Sequence, residues 1–239
     1  MKPGIDSLRV KLFADGADID GMVEMASKPY ISGLTTNPTL MRKAGISDYG
    51  RFAKDVLNEI KTKPISFEVF SDDLNEMKFQ GEQIASWGEN VYVKIPITNT
   101  KRESTKLVIK HLSEKGIKVN ATALMSNSQV EEVMEALDSN VESYVSVFAG
   151  RIADTGRNPI PIMQECLETL SYKPKSELIW ASPRELLNVI QADEIGCHII
   201  TATNDILNKI SLIGKNLEEF SLETVAMFFK DGQIAGFEI

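Results

Sequence analysis

The sequence has little of what marks several large classes of protein. It contains only two cysteines in 239 residues, Cys166 and Cys197, and they form no CxxC or other metal-type spacing. We therefore expect no disulfide framework, and a cytoplasmic location is the simplest interpretation. No apolar run approaches the roughly 18 residues of a membrane span, and the first residues lack the apolar stretch of a signal peptide.

Positive charge is also in short supply. Lys and Arg number 26 against 34 Asp and Glu, which gives a formal net charge of −8. Nucleic acids and anionic membranes are bound by clustered basic residues, so we expect neither as a partner. An anionic small substrate remains compatible, because a few cations in a cleft can override the net charge. The sequence has no HExxH, GxGxxG or Walker A pattern, so zinc hydrolysis, dinucleotide binding and P-loop chemistry have no support.

What the sequence does contain is a regular alternation of two kinds of segment. Hydrophobic residues make up 43% and charged residues 25%, as in ordinary globular proteins. Nearly continuous apolar runs, typical of strands buried on both faces, predict strands at 10–14, 31–35, 65–70, 91–95, 117–121, 144–148, 178–181 and 198–201. Apolar spacing of three or four predicts helices at 19–25, 49–60, 73–87, 104–112, 129–137, 160–170, 183–192 and 206–212.

Eight strand–helix units of about 25–30 residues, with no linker between them, predict an α/β fold, a single (β/α)8 TIM barrel. The predicted domain covers residues 1–239, with the barrel at 1–216 and a C-terminal helical extension at 217–239. A doubly wound open sheet is the alternative, but no Gly-rich first turn supports it. The additional helix at 217–230 is apolar, so it either packs over its own barrel or contacts a neighbouring subunit.

The carboxyl ends of barrel strands converge on one site, so polar residues at the predicted strand ends are the candidates for chemistry. These residues are Asp15, Thr35, Thr36, Asn37, Glu68, Lys94, Asn120, Thr122, Ser146, Arg151, Ser182 and Arg184. They come from seven different strands and would meet in one cavity.

Lys94 carries the sharpest hypothesis, because it interrupts the apolar strand at 91–95. A lysine there is costly to bury as a cation, and burial favours the neutral amine that a Schiff-base nucleophile requires. The alternative is a strand-end lysine that is paired with a carboxylate or bound to phosphate.

Two carboxylates could act with this lysine. Asp15 and Glu68 lie at the ends of other strands, and a pair would let one orient substrate hydroxyls while the other moves protons. As alternatives, Asp15 caps the next helix, a role for which Asp18 competes, and Glu68 simply forms an ion pair with Lys94.

The remaining strand ends are open to plainer interpretations. Asn37 precedes a proline and could belong to an ordinary turn. Asn120 and Thr122 share one strand face, where they form either a site or an internal hydrogen-bonded pair. The segment from Ser182 to Arg184 could place a helix N-terminus and a guanidinium near an anion, or could be a helix cap with a solvated arginine.

Taken in order, these motifs resemble the transaldolase family of class I aldolases, which fold as (β/α)8 barrels. The resemblance covers nearly the whole chain. The matching segments read LFAD at 12–15, GLTTNPTL at 33–40, VYVKIP at 91–96, NATAL at 120–124, SVFAGRI at 146–152 and ASPR at 181–184.

The resemblance implies a catalytic role for four residues. Lys94 would form the Schiff base with the ketose carbonyl, and Asp15 would handle a substrate hydroxyl proton during carbon–carbon cleavage. Glu68 and Thr122 would hold a catalytic water. The iminium would be the electron sink, so no cofactor and no metal are implied.

The resemblance also implies a set of substrate contacts, with a sugar phosphate as the ligand. They are Asn37, Thr36, Asn120, Ser146, Phe148, Arg151, Ser182 and Arg184. Asn37, Asn120 and Ser146 would bind the dihydroxyacetone portion. Arg184 and Ser182, together with Arg151, would hold the phosphate. Gly16 and Pro183 depart from the family pattern, and Pro183 bears on where Arg184 points.

The implied function is transaldolase activity in the pentose phosphate pathway, in which a dihydroxyacetone unit passes from fructose 6-phosphate or sedoheptulose 7-phosphate to erythrose 4-phosphate or glyceraldehyde 3-phosphate. The alternative is a fructose-6-phosphate aldolase-type lyase that releases free dihydroxyacetone. Glu68 and Phe148 favour the transferase, because the small aldolase branch tends to have Gln and Tyr there. A barrel that only binds sugar phosphates is the third hypothesis.

The compact length resembles the small-subunit branch of the family. That likeness implies a homo-oligomer, such as a pentameric ring or a decamer of paired rings, built with the C-terminal helix.

Overall fold

The computed structural model describes residues 5–238. Residues 1–4, on which the signal-peptide expectation partly depends, lie outside the described part. The eight predicted strands are all present. The strands are β1 (Lys11–Asp15), β2 (Ile31–Thr35), β3 (Ile65–Glu68), β4 (Val91–Pro96), β5 (Val119–Leu124), β6 (Ser143–Val147), β7 (Ser176–Trp180) and β8 (Ile199–Ala202). Each strand runs parallel to its neighbours, and β8 pairs with β1. The sheet therefore closes into a (β/α)8 barrel, and the open-sheet alternative is wrong.

Helices connect the strands and cover the outside of the barrel. They are α1 (Ile19–Ser27), α2 (Pro38–Lys43), α3 (Tyr49–Glu59), α4 (Leu74–Ala85), α5 (Lys106–Glu114), α6 (Asn127–Ala136), α7 (Ala149–Asp154), α8 (Ile160–Leu170), α9 (Leu187–Glu194), α10 (Asn204–Leu207) and α11 (Leu217–Ala235). The sequence patterns missed α2 and α7, which are too short to show a helical period.

Two predicted helix boundaries are clearly wrong. The C-terminal helix, predicted at 217–230, continues to Ala235. The seventh predicted helix begins at Pro183, whereas α9 begins four residues later, at Leu187. The side-chain oxygen of Asn188 accepts the backbone N–H groups of Arg184 and Glu185, and this turn precedes the helix. Ser182 itself has a φ of 60°, which no helix permits. The cap expected from Ser182 and Pro183 is therefore absent.

The barrel wall separates two apolar cores. The outer core lies between strands and helices and includes the fully buried Val56, Ile109 and Val133. Each large apolar side chain buried in this way contributes about 1.5–3 kcal/mol. The inner core fills the barrel with Phe13, Tyr92, Tyr144, Ile179, Ala181 and Ile199.

Aromatic rings organise the inner core. The rings of Tyr92 and Tyr144 stack with centroids 4.0 Å apart, and Phe13 meets Tyr144 edge-on at 5.6 Å. Gly33 makes room for this packing, because a Cβ there would lie 2.5 Å from Cζ of Phe13. The layer closes the middle of the barrel and separates its two mouths.

The C-terminal helix α11 differs from the helices of the barrel. It extends through 19 residues, and none of them is buried. Phe228 and Phe229 are 65% and 67% exposed, so the first of the two alternatives for this helix, packing over its own barrel, does not occur.

Candidate active site

A cavity of about 480 Å³ opens at the carboxyl ends of the strands, where the fold predicts the site. It is lined by Asp15, Thr35, Asn37, Pro38, Thr39, Leu40, Lys43, Glu68, Lys94, Thr122, Ala123, Ser146, Phe148, Arg151, Ala181, Ser182, Arg184 and Thr201. Ten of the twelve candidates taken from the sequence, together with Phe148, are therefore in one place. The other two, Thr36 and Asn120, are buried outside this lining.

Lys94 lies on β4 with its side chain buried. Its ammonium nitrogen donates to the backbone oxygen of Thr36 at 2.9 Å and lies 3.1 Å from Oε2 of Glu68. The ion pair proposed as the plainer interpretation of Glu68 is thus present. It does not exclude catalysis, because a lysine in a cavity wall beside a carboxylate can exchange protons with it.

Asp15 lies at the end of β1, and donors hold both of its carboxylate oxygens. The Thr35 hydroxyl donates to Oδ1 at 2.8 Å, and the Asn37 side-chain amide donates to Oδ2 at 3.0 Å. Burial raises the pKa of Asp15 above its ordinary range, against the opposing effects of nearby Lys94 and of these hydrogen bonds. The helix cap that was the alternative role for Asp15 belongs to Asp18, which accepts from the N–H of Gly21.

The end of β3 is held by a residue that the sequence patterns did not single out. The Tyr49 hydroxyl on α3 donates to the backbone oxygen of Glu68 at 3.0 Å, while its ring packs edge-on against Phe67 and Trp87. Burial raises the pKa of Tyr49 far above its ordinary range, so this hydroxyl remains a donor. Tyr49 therefore fixes the backbone that carries Glu68.

Thr122 points to the kind of ligand that the cavity floor would take. Its hydroxyl oxygen is buried and, within residues 5–238, has no hydrogen-bond partner. A buried hydroxyl without a partner is costly, so it marks a place where a polar ligand atom or a water would be favourable. Thr122 and Glu68 both line the cavity that contains Lys94.

Asn120 belongs to a hydrogen-bonded row inside the barrel wall. Its amide nitrogen donates to the Ser66 hydroxyl at 2.9 Å, and its oxygen accepts from the Ser146 hydroxyl at 2.7 Å. Thr36 is similarly engaged, since its hydroxyl donates to the backbone oxygen of Ser66. The internal pair of Asn120 with Thr122, the plainer alternative, is therefore wrong, because Asn120 bonds to Ser66 and Ser146 instead.

The cationic side of the mouth lies over β6 and β7. Arg184 donates from Nε and Nη2 to the two oxygens of Asp154, at 2.9 and 2.5 Å, and from Nη1 to the Ser182 oxygens. The pKa of Asp154 is lowered by these bonds. Gly150 permits the approach of α7 to this turn, because a Cβ there would overlap the Ser182 backbone oxygen. Arg151 follows Gly150, with its guanidinium 5.7 Å from the Phe148 ring.

Several lining residues escaped the sequence patterns. Lys43 belongs to α2, a helix too short to predict. Asp154 lies outside the lining but binds Arg184, and it belongs to α7, which is equally short. Thr201 lies in the apolar strand β8, where a single threonine gives no signal. Nothing in periodicity could have found these three, although the strand-end rule applied to β8 would have included Thr201.

A second cavity, of about 770 Å³, opens at the opposite end of the barrel. Its rim is made of pairs such as Lys11 with Glu177, 2.7 Å apart, and its floor includes Tyr92 and Tyr144. Tyr92 donates to Glu142 at 3.1 Å. This cavity is the larger of the two, and two lysines of its lining, Lys11 and Lys118, lie beside glutamates of the same lining.

Two searches of the described residues bear on other functions. Within residues 5–238, no group of three or more His, Cys, Asp and Glu side chains could hold a metal ion. In the same range, no helix is long and apolar enough to cross a membrane.

The closed parallel barrel, with a polar cluster at the carboxyl ends of its strands, defines the class as a (β/α)8 protein with the site arrangement of barrel enzymes. The model of the Transaldolase/Fructose-6-phosphate aldolase family matches residues 12–238. The chain belongs to this family, which makes it an aldolase- or transaldolase-type enzyme.

Named relatives agree with this assignment. The chain is 34% identical over 203 residues to the "Probable transaldolase" of Sulfurihydrogenibium sp. (strain YO3AOP1), which covers 84% of this chain and 89% of that one. It is 32% identical over 231 residues to the "Probable transaldolase" of Thermoanaerobacter sp. (strain X514), covering 96% and 100%. A solved structure of an HpcH/HpaI aldolase/citrate lyase family protein from Burkholderia cenocepacia J2315 is similar in fold alone, with a TM-score of 0.59, 10% identity, and coverage of 96% and 98%.

Proposed function

We propose that the protein is a transaldolase that moves a dihydroxyacetone unit from a ketose phosphate to an aldose phosphate through a Schiff base on Lys94. The observation that carries the proposal is the buried ammonium of Lys94, 3.1 Å from Glu68 and in a cavity shared with the part-buried carboxylate of Asp15. A neutral amine next to a proton acceptor can attack a carbonyl, and a second carboxylate can accept the hydroxyl proton.

The first half of the reaction forms and uses the iminium. The nitrogen of Lys94 attacks the C2 carbonyl of fructose 6-phosphate or sedoheptulose 7-phosphate, and the carbinolamine loses water to give the iminium. Glu68, with a water held by Thr122, transfers the protons for that dehydration. Asp15 then takes the proton of the C4 hydroxyl, the C3–C4 bond breaks, and its electrons enter the iminium to leave an enamine. The aldose phosphate departs.

The second half runs in the opposite direction. The enamine carbon attacks the aldehyde of erythrose 4-phosphate or glyceraldehyde 3-phosphate, and Asp15 returns its proton to the new hydroxyl. Water then hydrolyses the iminium and frees Lys94. The reaction belongs to pentose phosphate interconversion. The dihydroxyacetone part is bound, directly or through the row of hydrogen bonds in the barrel wall, by Asn37, Thr36, Asn120 and Ser146.

The phosphate end of the substrate is assigned to the cationic side of the mouth. Arg184, Ser182 and Arg151 line the cavity there, and Arg151 contacts Phe148. A guanidinium is the preferred partner of a phosphate, because its N–H groups match the phosphate oxygens. A few local cations would therefore bind an anion in a chain of net charge −8.

The test compares turnover of fructose 6-phosphate with and without erythrose 4-phosphate. We expect sedoheptulose 7-phosphate when the acceptor is present and little free dihydroxyacetone when it is absent. Rapid release of dihydroxyacetone without acceptor would contradict the transferase and favour the lyase. Phe148→Tyr and Glu68→Gln introduce the residues typical of the aldolase branch, so they serve as matched variants that should increase acceptor-free release.

We also propose that the enzyme is a homo-oligomer in which α11 packs on a second copy of the chain. Most helical stability in proteins comes from tertiary packing, yet none of the 19 residues of α11 is buried. Large exposed apolar patches mark interfaces. The apolar residues of α11 point to more than one side, which suits a helix enclosed by another subunit. Phe228 and Phe229 contribute the largest exposed rings.

Light scattering tests this assembly. The intact chain should show a mass that is a multiple of 26.5 kDa, and deletion of the residues after Leu217 should reduce it. The double variant Phe228→Ser, Phe229→Ser should also reduce the mass. It is matched to the deletion because it removes two exposed rings without shortening the chain, and neither ring contributes to the barrel core. An intact chain with the mass of one copy would contradict the proposal.

A further inference from the structure

Two hydroxyl groups, those of Thr35 and Thr201, form a hydrogen-bonded series that begins at the carboxylate of Asp15. The Thr35 oxygen lies 2.8 Å from Oδ1 of Asp15 and 2.6 Å from the hydroxyl oxygen of Thr201. Thr35 is on β2 and Thr201 is on β8, the two strands that flank β1. Thr35 is 2% and Thr201 6% exposed, so little of either side chain is open to water.

The direction of this series follows from the number of hydrogens. A threonine hydroxyl has one hydrogen, and with Asp15 ionised Thr35 donates it to the carboxylate. Its bond with Thr201 must then be one that Thr35 accepts, so Thr201 is the donor. The ionised carboxylate thus receives a hydrogen bond that is reinforced by a second hydroxyl.

The other oxygen of Asp15 has a fixed donor. The Asn37 side-chain oxygen accepts the N–H of Leu40 at 2.9 Å at the start of α2. Its amide nitrogen must therefore face Oδ2 of Asp15, and the amide cannot turn over. Only the side of the carboxyl group that faces Thr35 can change from acceptor to donor.

We infer that Thr201 is a positioning residue whose hydroxyl lets Thr35 hydrogen-bond to Asp15 in both of its protonation states. When Asp15 has taken the substrate proton, its Oδ1–H can donate to Thr35, and Thr35 then donates to Thr201. Thr201 lines the cavity, so its own hydrogen can turn toward the cavity. Two hydroxyl groups rotate, and no proton leaves the Asp15 carboxyl along this series.

This inference rests on the proposed function, in which Asp15 alternates between carboxylate and acid. The charged groups that face Asp15 are Lys94 on β4 and Glu68 on β3, and substitutions at Thr201 leave both in place. A buried donor without an acceptor is unfavourable. Removing the Thr201 hydroxyl therefore disfavours the acid form of Asp15, because Thr35 would then lack an acceptor for its hydrogen.

Kinetics of Thr201→Val and Thr201→Ser test the inference, with Ile199→Val as the control on the same strand. We expect kcat of Thr201→Val to fall about tenfold with KM nearly unchanged, a loss that corresponds to one impaired hydrogen bond in a transition state. The acid limb of its pH profile should move to lower pH, since the acid form is the one that is destabilised. Thr201→Ser, which keeps the hydroxyl, and Ile199→Val should match the wild type in both respects.

A second measurement separates this inference from the proposed function. NMR titration of the labelled carboxyl carbon of Asp15 in the substrate-free protein should show a lower midpoint in Thr201→Val than in the wild type and Thr201→Ser. Thr201→Ala provides the same comparison if the valine variant does not fold. A wild-type titration and a wild-type pH profile in the apolar variants would overturn the inference. An absence of dihydroxyacetone transfer in the wild type would overturn the proposed function instead, and the titration would still decide the role of Thr201.

Discussion

The two mouths of the barrel are built from the same eight strands but differ in how their polar side chains are buried and paired. The cavity at the amino ends, the lower mouth, has about 770 Å³, and Lys11 and Lys118 in its lining pair with Glu177 and Glu142. The cavity at the carboxyl ends, the upper mouth, has about 480 Å³. It contains buried Lys94, part-buried Asp15 and the hydroxyl of Thr122, which has no partner among residues 5–238. Volume alone would select the wrong end. What marks the candidate site is polar groups whose burial costs free energy without a ligand.

Substituting the lysine of each mouth gives the largest expected difference between them. Lys94→Met should lower kcat on the order of 10⁴-fold, because it removes the group that forms the covalent bond. Lys118→Met removes a lower-mouth lysine that lies 3.7 Å from Glu142, and its kcat should stay within about twofold of the wild type. Steady-state assays that measure kcat of the two variants test this difference. Comparable losses in both would show that the two mouths are not distinct.

Asp15→Asn should separate activity from stability. Without a carboxylate to accept the hydroxyl proton, kcat should fall by about 10²–10⁴-fold. Unfolding should nonetheless cost more free energy at neutral pH than in the wild type, since the pKa of Asp15 is raised in the folded protein by burial.

The sign of that stability change gives it a pH dependence. A raised folded-state pKa means that the folded protein holds its proton more tightly, so the wild type loses stability as pH rises above the unfolded-state pKa of about 3.9. The advantage of Asp15→Asn should therefore be present at pH 7 and vanish near pH 3. Urea titrations at the two pH values measure it, and a variant less stable than the wild type at pH 7 would contradict it.

Arg184→Lys tests the phosphate assignment at the upper mouth. A lysine cannot reproduce the fork of the guanidinium, which is held by Asp154 and Ser182. We expect KM for fructose 6-phosphate to rise about tenfold with kcat little changed, as for an interaction made equally in the ground and transition states. Unphosphorylated fructose is the control substrate, for which the variant and the wild type should be alike. An equal loss of activity with both substrates would contradict the assignment of Arg184 to the phosphate.

The smallest effect is expected from the lower mouth. Tyr92→Phe removes the hydroxyl that donates to Glu142, but leaves the ring stacked on Tyr144. The free energy of unfolding should fall by about 1 kcal/mol, and kcat should not change. A clear loss of kcat would mean that the aromatic layer transmits changes from one mouth to the other.

Much of the fold, and the main residues of the upper mouth, could be predicted from the sequence. Continuous apolar runs identified all eight strands, and the rule that sites gather at carboxyl ends brought Lys94, Asp15 and Glu68 together in advance. The short helices α2 and α7 could not be predicted, since six residues show no period. The turn at Ser182 could not be predicted either, because it depends on the side chain of Asn188, which lies later in the chain.

The lower mouth was not predicted for a different reason. Its residues are ordinary charged side chains at strand starts, such as Lys11, and in a sequence these look like solvated surface. Thr201 was missed because its role requires Thr35 from another strand. Periodicity assigns a residue to an element, whereas such a contact depends on how strands far apart in the chain are placed.

Reduction with borohydride in the presence of fructose 6-phosphate tests the central claim most directly. We expect peptide mass spectrometry to find a reduced three-carbon adduct on Lys94, no such adduct in Lys94→Met, and no modification of Lys118. An enzyme that turns over fructose 6-phosphate and yet carries no adduct on Lys94, or carries it on another lysine, would contradict the account.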